Sequence, residues 1–229
     1  MRIESRAAGN VIPFRRPARP DAQVGDLRFR TLVGEDAWMR LPEAVRARFG
    51  RHIGDCTTIL YAGEIVECRM SRAGWLLAQL ARLIGSPLPL RRDIFVPAAV
   101  SVTEDVATGG QFWTRIYGRA DGFPQVIHSA KRFAGPTGLE EYVGCGVTIA
   151  LKVSVENGSL HFDSDHYALR IGRIRVRVPK WLEPGRMRVS HVDCNHGCFA
   201  FVLSIRHPLF GELICQTAMF EDCVTGASR

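Results

Sequence analysis

The chain is 229 residues long, with an apolar share of 46% and a charged share of 23%, the balance of a globular protein that can build a sizeable core. Its formal charge is +7, from 30 basic and 23 acidic residues, and Lys131, Lys152 and Lys180 are its only lysines. No apolar run approaches the roughly 18 to 20 residues of a membrane span, and the N-terminus shows no signal core, so the expectation is a soluble, cytoplasmic protein.

Residues 1–26 read as a flexible basic arm. Arg15, Arg16 and Arg19 interleave with Pro13, Pro17 and Pro20, and too few apolar residues are present to fold alone. Glu4, Asp21 and Asp26 dilute its charge, which argues against a nucleic-acid or lipid-binding tail. Pro42 suits a first helical turn and Gly50 a stop, so a short helix is expected over 44–49. Residues 57–70 alternate as a strand, or as a hairpin turning at Ala62-Gly63. Ser71 then caps a helix over 72–84, closed by Gly85 and followed by Pro87 and Pro89. Its apolar face is read as Leu76, Leu80, Leu83 and Ile84, with Arg72, Gln79 and Arg82 opposite.

From Ile94 to Phe220 the chain reads as strands: 94–104, 111–119, 125–133, 146–156, 159–171, 173–178, 187–194, 199–206 and 212–220. Thr108-Gly109-Gly110, Asp121-Gly122, Asn157-Gly158 and Asn195-His196-Gly197 separate them, and Asn-Gly suits the positive φ of a tight hairpin turn. Connections this short imply antiparallel neighbours. The fold class expected is mainly β: an antiparallel meander curled into a barrel or half-barrel, with N-terminal helices that include a lid-like helix at 72–84. A single β-rich domain is expected over 27–222, with 223–229 as a tail.

Seven scattered cysteines, an odd number, do not form a disulfide framework and fit a reduced compartment. His191, Cys194, His196 and Cys198 have metal-ligand chemistry, but Cys-x3-Cys spans a turn and no second knuckle accompanies it. A turn with incidental cysteines is the plainer reading, and no metal is assigned. His161, Asp163, Asp165 and Tyr167 share a strand face in strict alternation; so arranged they could serve acid–base chemistry or simply line the wet side. Arg173, Arg175 and Arg177 form a basic stripe opposite Ile174, Val176 and Val178. That stripe is a solvated outer face or a dock for an anionic partner, and it lacks the interleaved aromatics of nucleic-acid readers.

Trp113, Arg115 and Tyr117 share one strand face, opposite Phe112, Thr114 and Ile116. His128 and Arg132 share a face on the next strand and are expected to extend the same surface. Rings for an apolar body and a guanidinium for an acidic head make a pocket for a small hydrophobic or lipid-like ligand, in its carboxylated form above all. If Arg115 is buried it needs a carboxylate, either Glu141 or the ligand's own. The adjacent Glu140 and Glu141 point apart at strand spacing. The candidate ligand-binding residues are therefore Trp113, Arg115, Tyr117, His128, Arg132 and Glu141, with no catalytic residue and no cofactor assigned. The familiar nucleophile-elbow, phosphate-loop and dinucleotide motifs do not occur in the sequence.

The stretch from Gly63 to Gly85, Phe112-Trp113-Thr114-Arg115, Gly138 to Gly144 and His207 to Leu213 together resemble a bacterial domain-of-unknown-function family, DUF4166, over about residues 31–220. That resemblance implies a service domain that binds something hydrophobic, since family members occur alone or joined to oxidoreductase-like or membrane regions. It carries over no catalytic residue, and the chain departs from its pattern at Cys194 to Cys198. The leading expectation is a non-catalytic binder with a lipocalin-like cup and lid. The alternatives are an enzyme or accessory domain working with an oxidoreductase, and an interaction protein docking through the basic strand face.

Overall fold

The computed structural model describes residues 25–54, 58–172 and 174–222; residues 1–24 of the expected arm, Arg173 of the basic stripe and residues 223–229 of the expected tail lie outside them. Three short helices come first: α1 (Arg28–Val33), α2 (Glu35–Met39) and α3 (Glu43–Phe49). Strand β1 (Thr58–Met70) leads into α4 (Arg72–Leu80), which tightens into a 3-10 turn over Ala81–Ile84. Ten strands follow: β2 (Val96–Asp105), β3 (Gly110–Tyr117), β4 (Gln125–Arg132), β5 (Glu140–Gly144), β6 (Val147–Glu156), β7 (Ser159–Ile171), β8 (Ile174–Arg177), β9 (Arg186–Asp193), β10 (Cys198–His207) and β11 (Gly211–Asp222).

All described strand pairings are antiparallel, in the order β6-β5-β4-β3-β2-β1-β11-β10-β9-β7-β8, and a further β6–β7 pairing closes the ring. The expectation of a barrel or half-barrel thus resolves to a closed barrel, which leaves no free edge within the ring. One edge of β7 is shared: Leu160–Asp163 pair with β9, and Ala168–Ile171 pair with β8. Strand β8 therefore stands outside the ring as a projecting hairpin. All four of its residues are exposed, so Ile174 and Val176 do not pack inward as the alternation predicted. Among the described residues no second strand or layer covers them.

Gly63 is the middle of a continuous strand and not a hairpin turn. It faces Ala98 on one side and Phe220 on the other, and a Cβ there would lie 1.8 Å from the Met219 carbonyl oxygen. Close backbone approach, not a bend, is what the glycine serves.

The two ends of the barrel differ. At one end, α1 to α3 push Phe29, Val45 and Phe49 into the core. Phe29 meets Phe49, Phe133 and Phe162 edge-on at ring distances of 5.3, 5.0 and 6.0 Å. Arg48 of α3 fastens this plug through Asp193 at 3.1 Å and Asp222 at 2.7 Å. Helices α1 and α2 carry no side-chain caps and run for only 6 and 5 residues, too short to show a helical period in the sequence.

At the other end lies α4. Ser71 accepts from the Gly74 N–H at 3.1 Å, and Gly85 ends the helical run in left-handed geometry, as the capping pattern predicts. The buried face differs from the expected one. Gly74, Ala78 and Ala81 are buried, whereas Leu76, Leu80 and Leu83 are exposed. A Cβ on Gly74 would lie 1.9 Å from the Leu213 carbonyl oxygen, so the helix lies directly on β11 through its smallest residues. That close approach turns the bulky leucines away.

Candidate functional site

Inside the barrel, beneath α4, is a cavity of about 370 Å³, within the usual span of small-molecule sites. Its wall is mostly apolar, with Leu77, Ile84, Val100, Ile149, Phe162 and Phe201 among its lining residues. Its opening runs between α4 and the segment after β8, where Leu80 and Leu182 line the cavity and are more than half exposed.

Strand alternation decides which predicted residues reach it. Trp113, Arg115 and Tyr117 of β3 all point inward and line the cavity, as does Glu141 of β5. His128 and Arg132 do not. Trp113 sits opposite Ser129 and Arg115 opposite Ile127, so the inward residues of β4 are Ile127, Ser129 and Lys131. His128 is an outer partner of Thr114, its Nδ1 lying 3.1 Å from the hydroxyl. The Arg132 guanidinium lies over the outward Tyr142 ring at 4.8 Å. Face-sharing within β4 was legible, but its register against β3 was not.

Lys131, missed in the sequence reading, completes the polar group. It stands directly opposite Glu141 across the β4–β5 ladder, and its Nζ donates to Glu141 Oε2 at 3.1 Å. Arg115 Nη2 donates to Glu141 Oε1 at 2.9 Å and also to the Ser129 hydroxyl. The carboxylate that Arg115 requires is thus Glu141, while Glu140 points away and pairs with Arg175 of β8. Lys131 also lies 5.2 Å from the Trp113 ring and 5.3 Å from the Phe162 ring. Its signal in the sequence was its phase, since Lys131 alternates with Ile127 and Ser129 along the strand.

Burial pushes the Glu141 carboxyl upward, but Lys131 and Arg115 outweigh it and hold the group at about 2. Burial lowers the Lys131 ammonium pKa, against the pull of Glu141 and with repulsion from Arg115. Burial also raises both tyrosine hydroxyls that line the cavity, Tyr117 and Tyr167, the latter to about 12. With both cations charged, two positive groups face one carboxylate, leaving one formal positive charge in an apolar chamber. No histidine or cysteine lines the cavity among the described residues.

The other candidate clusters separate. A bulge in the β6–β7 ladder between Ala150 and Leu151 leaves Asp165 out of register, so Tyr167 turns inward while Asp163 and Asp165 stay outside. Asp163 pairs with Arg188 at 2.6 Å, and Asp165 pairs with Lys152 and His166. His191 is fully buried among Phe49, Phe199 and Phe201, while Cys194 and His196 stand on an exposed turn. Among the described residues no group of three or more His, Cys, Asp or Glu side chains is placed to hold a metal ion. The five described cysteines are free thiols, and no described helix is long and apolar enough to cross a membrane.

The family model titled Domain of unknown function (DUF4166) matches residues 41–220. The chain belongs to the DUF4166 family. The match takes in β1 to β10, nearly all of β11, α3 and α4, and hence every residue of the buried polar group. No curated protein and no solved structure matches the chain.

Proposed function

We propose that this DUF4166 domain is a non-catalytic binder of a small amphipathic anion, an apolar chain ending in a carboxylate or similar head. The observation that carries this reading is the Arg115–Glu141–Lys131 group. With Lys131 protonated, two cations face one carboxylate, which leaves one formal positive charge inside a cavity whose other walls are largely apolar. A ligand carboxylate beside Arg115 would neutralise that charge, and bidentate guanidinium recognition supplies the geometry. At about 30 Å³ per heavy atom, the share of a water in the liquid, the volume suits on the order of a dozen heavy atoms, a chain of medium length.

Titration calorimetry with decanoate, decanol and decylamine tests this directly. Decanoate should bind best and decylamine worst, and Arg115→Met should weaken decanoate while sparing decanol. Equal binding of all three would remove the anionic head from the reading, and no binding of any would remove the ligand.

A second reading, an enzyme or accessory domain working with an oxidoreductase, is supported by the same convergence of Arg115, Glu141 and the Lys131 amine. Against it, Glu141 is ionised and paired twice, a poor proton donor or acceptor near neutrality. Turnover of a bound ligand that is lost in Lys131→Met with binding retained would favour the enzyme.

A further inference from the structure

The open end of the barrel carries a surface that ligand binding in the cavity does not require. Leu83 and Trp181 are 80% and 78% exposed, Leu80 and Leu182 are 57% and 56% exposed, and Ile174 at the β8 hairpin is 68% exposed. Leu80 and Leu182 themselves line the cavity mouth, so this apolar surface is continuous with the opening. Cations are set among these residues. Arg82 precedes Leu83, Lys180 precedes Trp181, and Arg170 and Arg177 flank the β8 hairpin; all four are exposed. None of the four makes an ion pair among the described residues. The nearby acids are Glu183, which is half-buried, Glu212, which is already held by Arg69 and Arg206, and Glu140, which is already held by Arg175.

We propose that this end docks on an anionic lipid bilayer, with Trp181, Leu182, Leu80 and Leu83 entering the headgroup layer and Lys180, Arg177, Arg170 and Arg82 meeting its negative charge. Apolar side chains with cations beside them in one rim match an interface that is apolar below and anionic above. Tryptophan suits the headgroup level, and long basic side chains reach from an apolar depth to a charged surface. A protein partner would need acids placed against each cation, whereas a bilayer supplies negative charge wherever the rim lands. Docked this way, the mouth faces lipid, and an amphipathic molecule passes between bilayer and cavity without crossing water. The surface argument stands on the rim alone and holds whether or not the cavity takes the proposed anion.

Vesicle flotation of the full chain is the test, with phosphatidylcholine alone and with phosphatidylcholine mixed with phosphatidylserine. Expected is partition onto the mixed vesicles, weakening as salt rises, with little on the neutral ones. Lys180→Ala and Arg177→Ala should each reduce partition about fivefold, and Trp181→Ser should reduce it further. Arg51→Ala is the control and should change nothing, since Arg51 is exposed near the closed end and makes no ion pair among the described residues. Absent partition overturns the proposal, as does an Arg51→Ala loss equal to that of Lys180→Ala, which would mean attraction by net charge alone. Sedimentation velocity guards the remaining case: a dimer that dissociates in Trp181→Ser makes this face a self-interface and overturns bilayer docking.

Discussion

At the closed end of the barrel, phenylalanines fill the opening and three arginines are held by carboxylates: Arg28 by Asp26, Arg48 by Asp193 and Asp222, Arg188 by Asp163 and Glu156. At the open end, α4 crosses on Gly74, Ala78 and Ala81, Leu76, Leu80 and Leu83 are exposed, and Arg82, Arg170, Arg177 and Lys180 stand unpaired among the described residues. One end buries its phenylalanines and anchors its helices through paired arginines, and the other leaves exposed leucines and four cations available for contacts. Binding loops and lids belong to the less stabilised parts of a fold because they must open. The asymmetry therefore divides residues whose loss damages the fold from residues whose loss damages only contacts with other molecules.

The largest test of that division is Phe29→Ala. Phe29 is fully buried against three other rings, and deleting such a side chain costs about 3–5 kcal/mol. Urea unfolding should show the midpoint falling with an unchanged slope. A loss under about 1 kcal/mol would mean that α1 rests on the barrel and does not plug it.

Glu141→Gln probes the boundary between the two regions. It leaves the buried Lys131 and the half-buried Arg115 without their counter-charge, and breaking a buried pair from one side costs about 3–5 kcal/mol. Lys131 can lessen the loss by giving up its proton, so the lower part of that range is expected. Because the removed charge is a carboxylate in a ligand cavity, decanoate should restore thermal stability to Glu141→Gln more than it raises the wild type. Equal effects on the two proteins would place the bound carboxylate elsewhere.

The barrel was legible in the sequence because strand alternation and Asn157-Gly158-type turns are local signals. The β8 hairpin and the α4 face were read wrongly for one shared reason: periodicity shows that a face is apolar, not that anything covers it. Leu76, Leu80 and Leu83 make the stronger stripe, yet the backbone fit of Gly74 on β11 decided the orientation. Arg115 and Glu141 were legible as a buried charge needing a partner. Lys131 was not, because its role depends on the ladder that sets it opposite Glu141, and a register shift of one residue would have turned it outward. His128 and Arg132 fell to the same register.

The closed end should also be the more acid-sensitive. Burial, and secondarily Arg48, lowers His191 from its ordinary 6.5 to about 3, and among the described residues neither ring nitrogen has a hydrogen-bond partner. A void of about 20 Å³ beside it is sized for one water. The unfolded chain binds a proton at this site below about pH 6.5 and the folded chain does not, so stability is fully present above 6.5 and falls toward pH 3. Between pH 6.5 and 5 the loss should be about 2 kcal/mol, and His191→Phe should remove that slope. Glu141 contributes its own acid loss only below its ordinary 4.5, down to about 2, so the upper window isolates His191. An unchanged slope in His191→Phe would place the acid sensitivity elsewhere.

The smallest expected effect comes from the open end. Leu83→Ser removes a side chain that is already 80% exposed, so little apolar area returns to water and no cavity forms. Substitutions of that kind usually change stability by less than about 0.5 kcal/mol in either direction. Serine lowers helix propensity slightly, but position 83 lies in the terminal 3-10 turn, where that preference counts least. Thermal unfolding of Leu83→Ser should therefore superimpose on that of the wild type, while partition onto anionic vesicles falls. A clear loss of stability would show that Leu83 is covered in solution, by another copy or by part of this chain, and the contrast between the two ends would close from the open side.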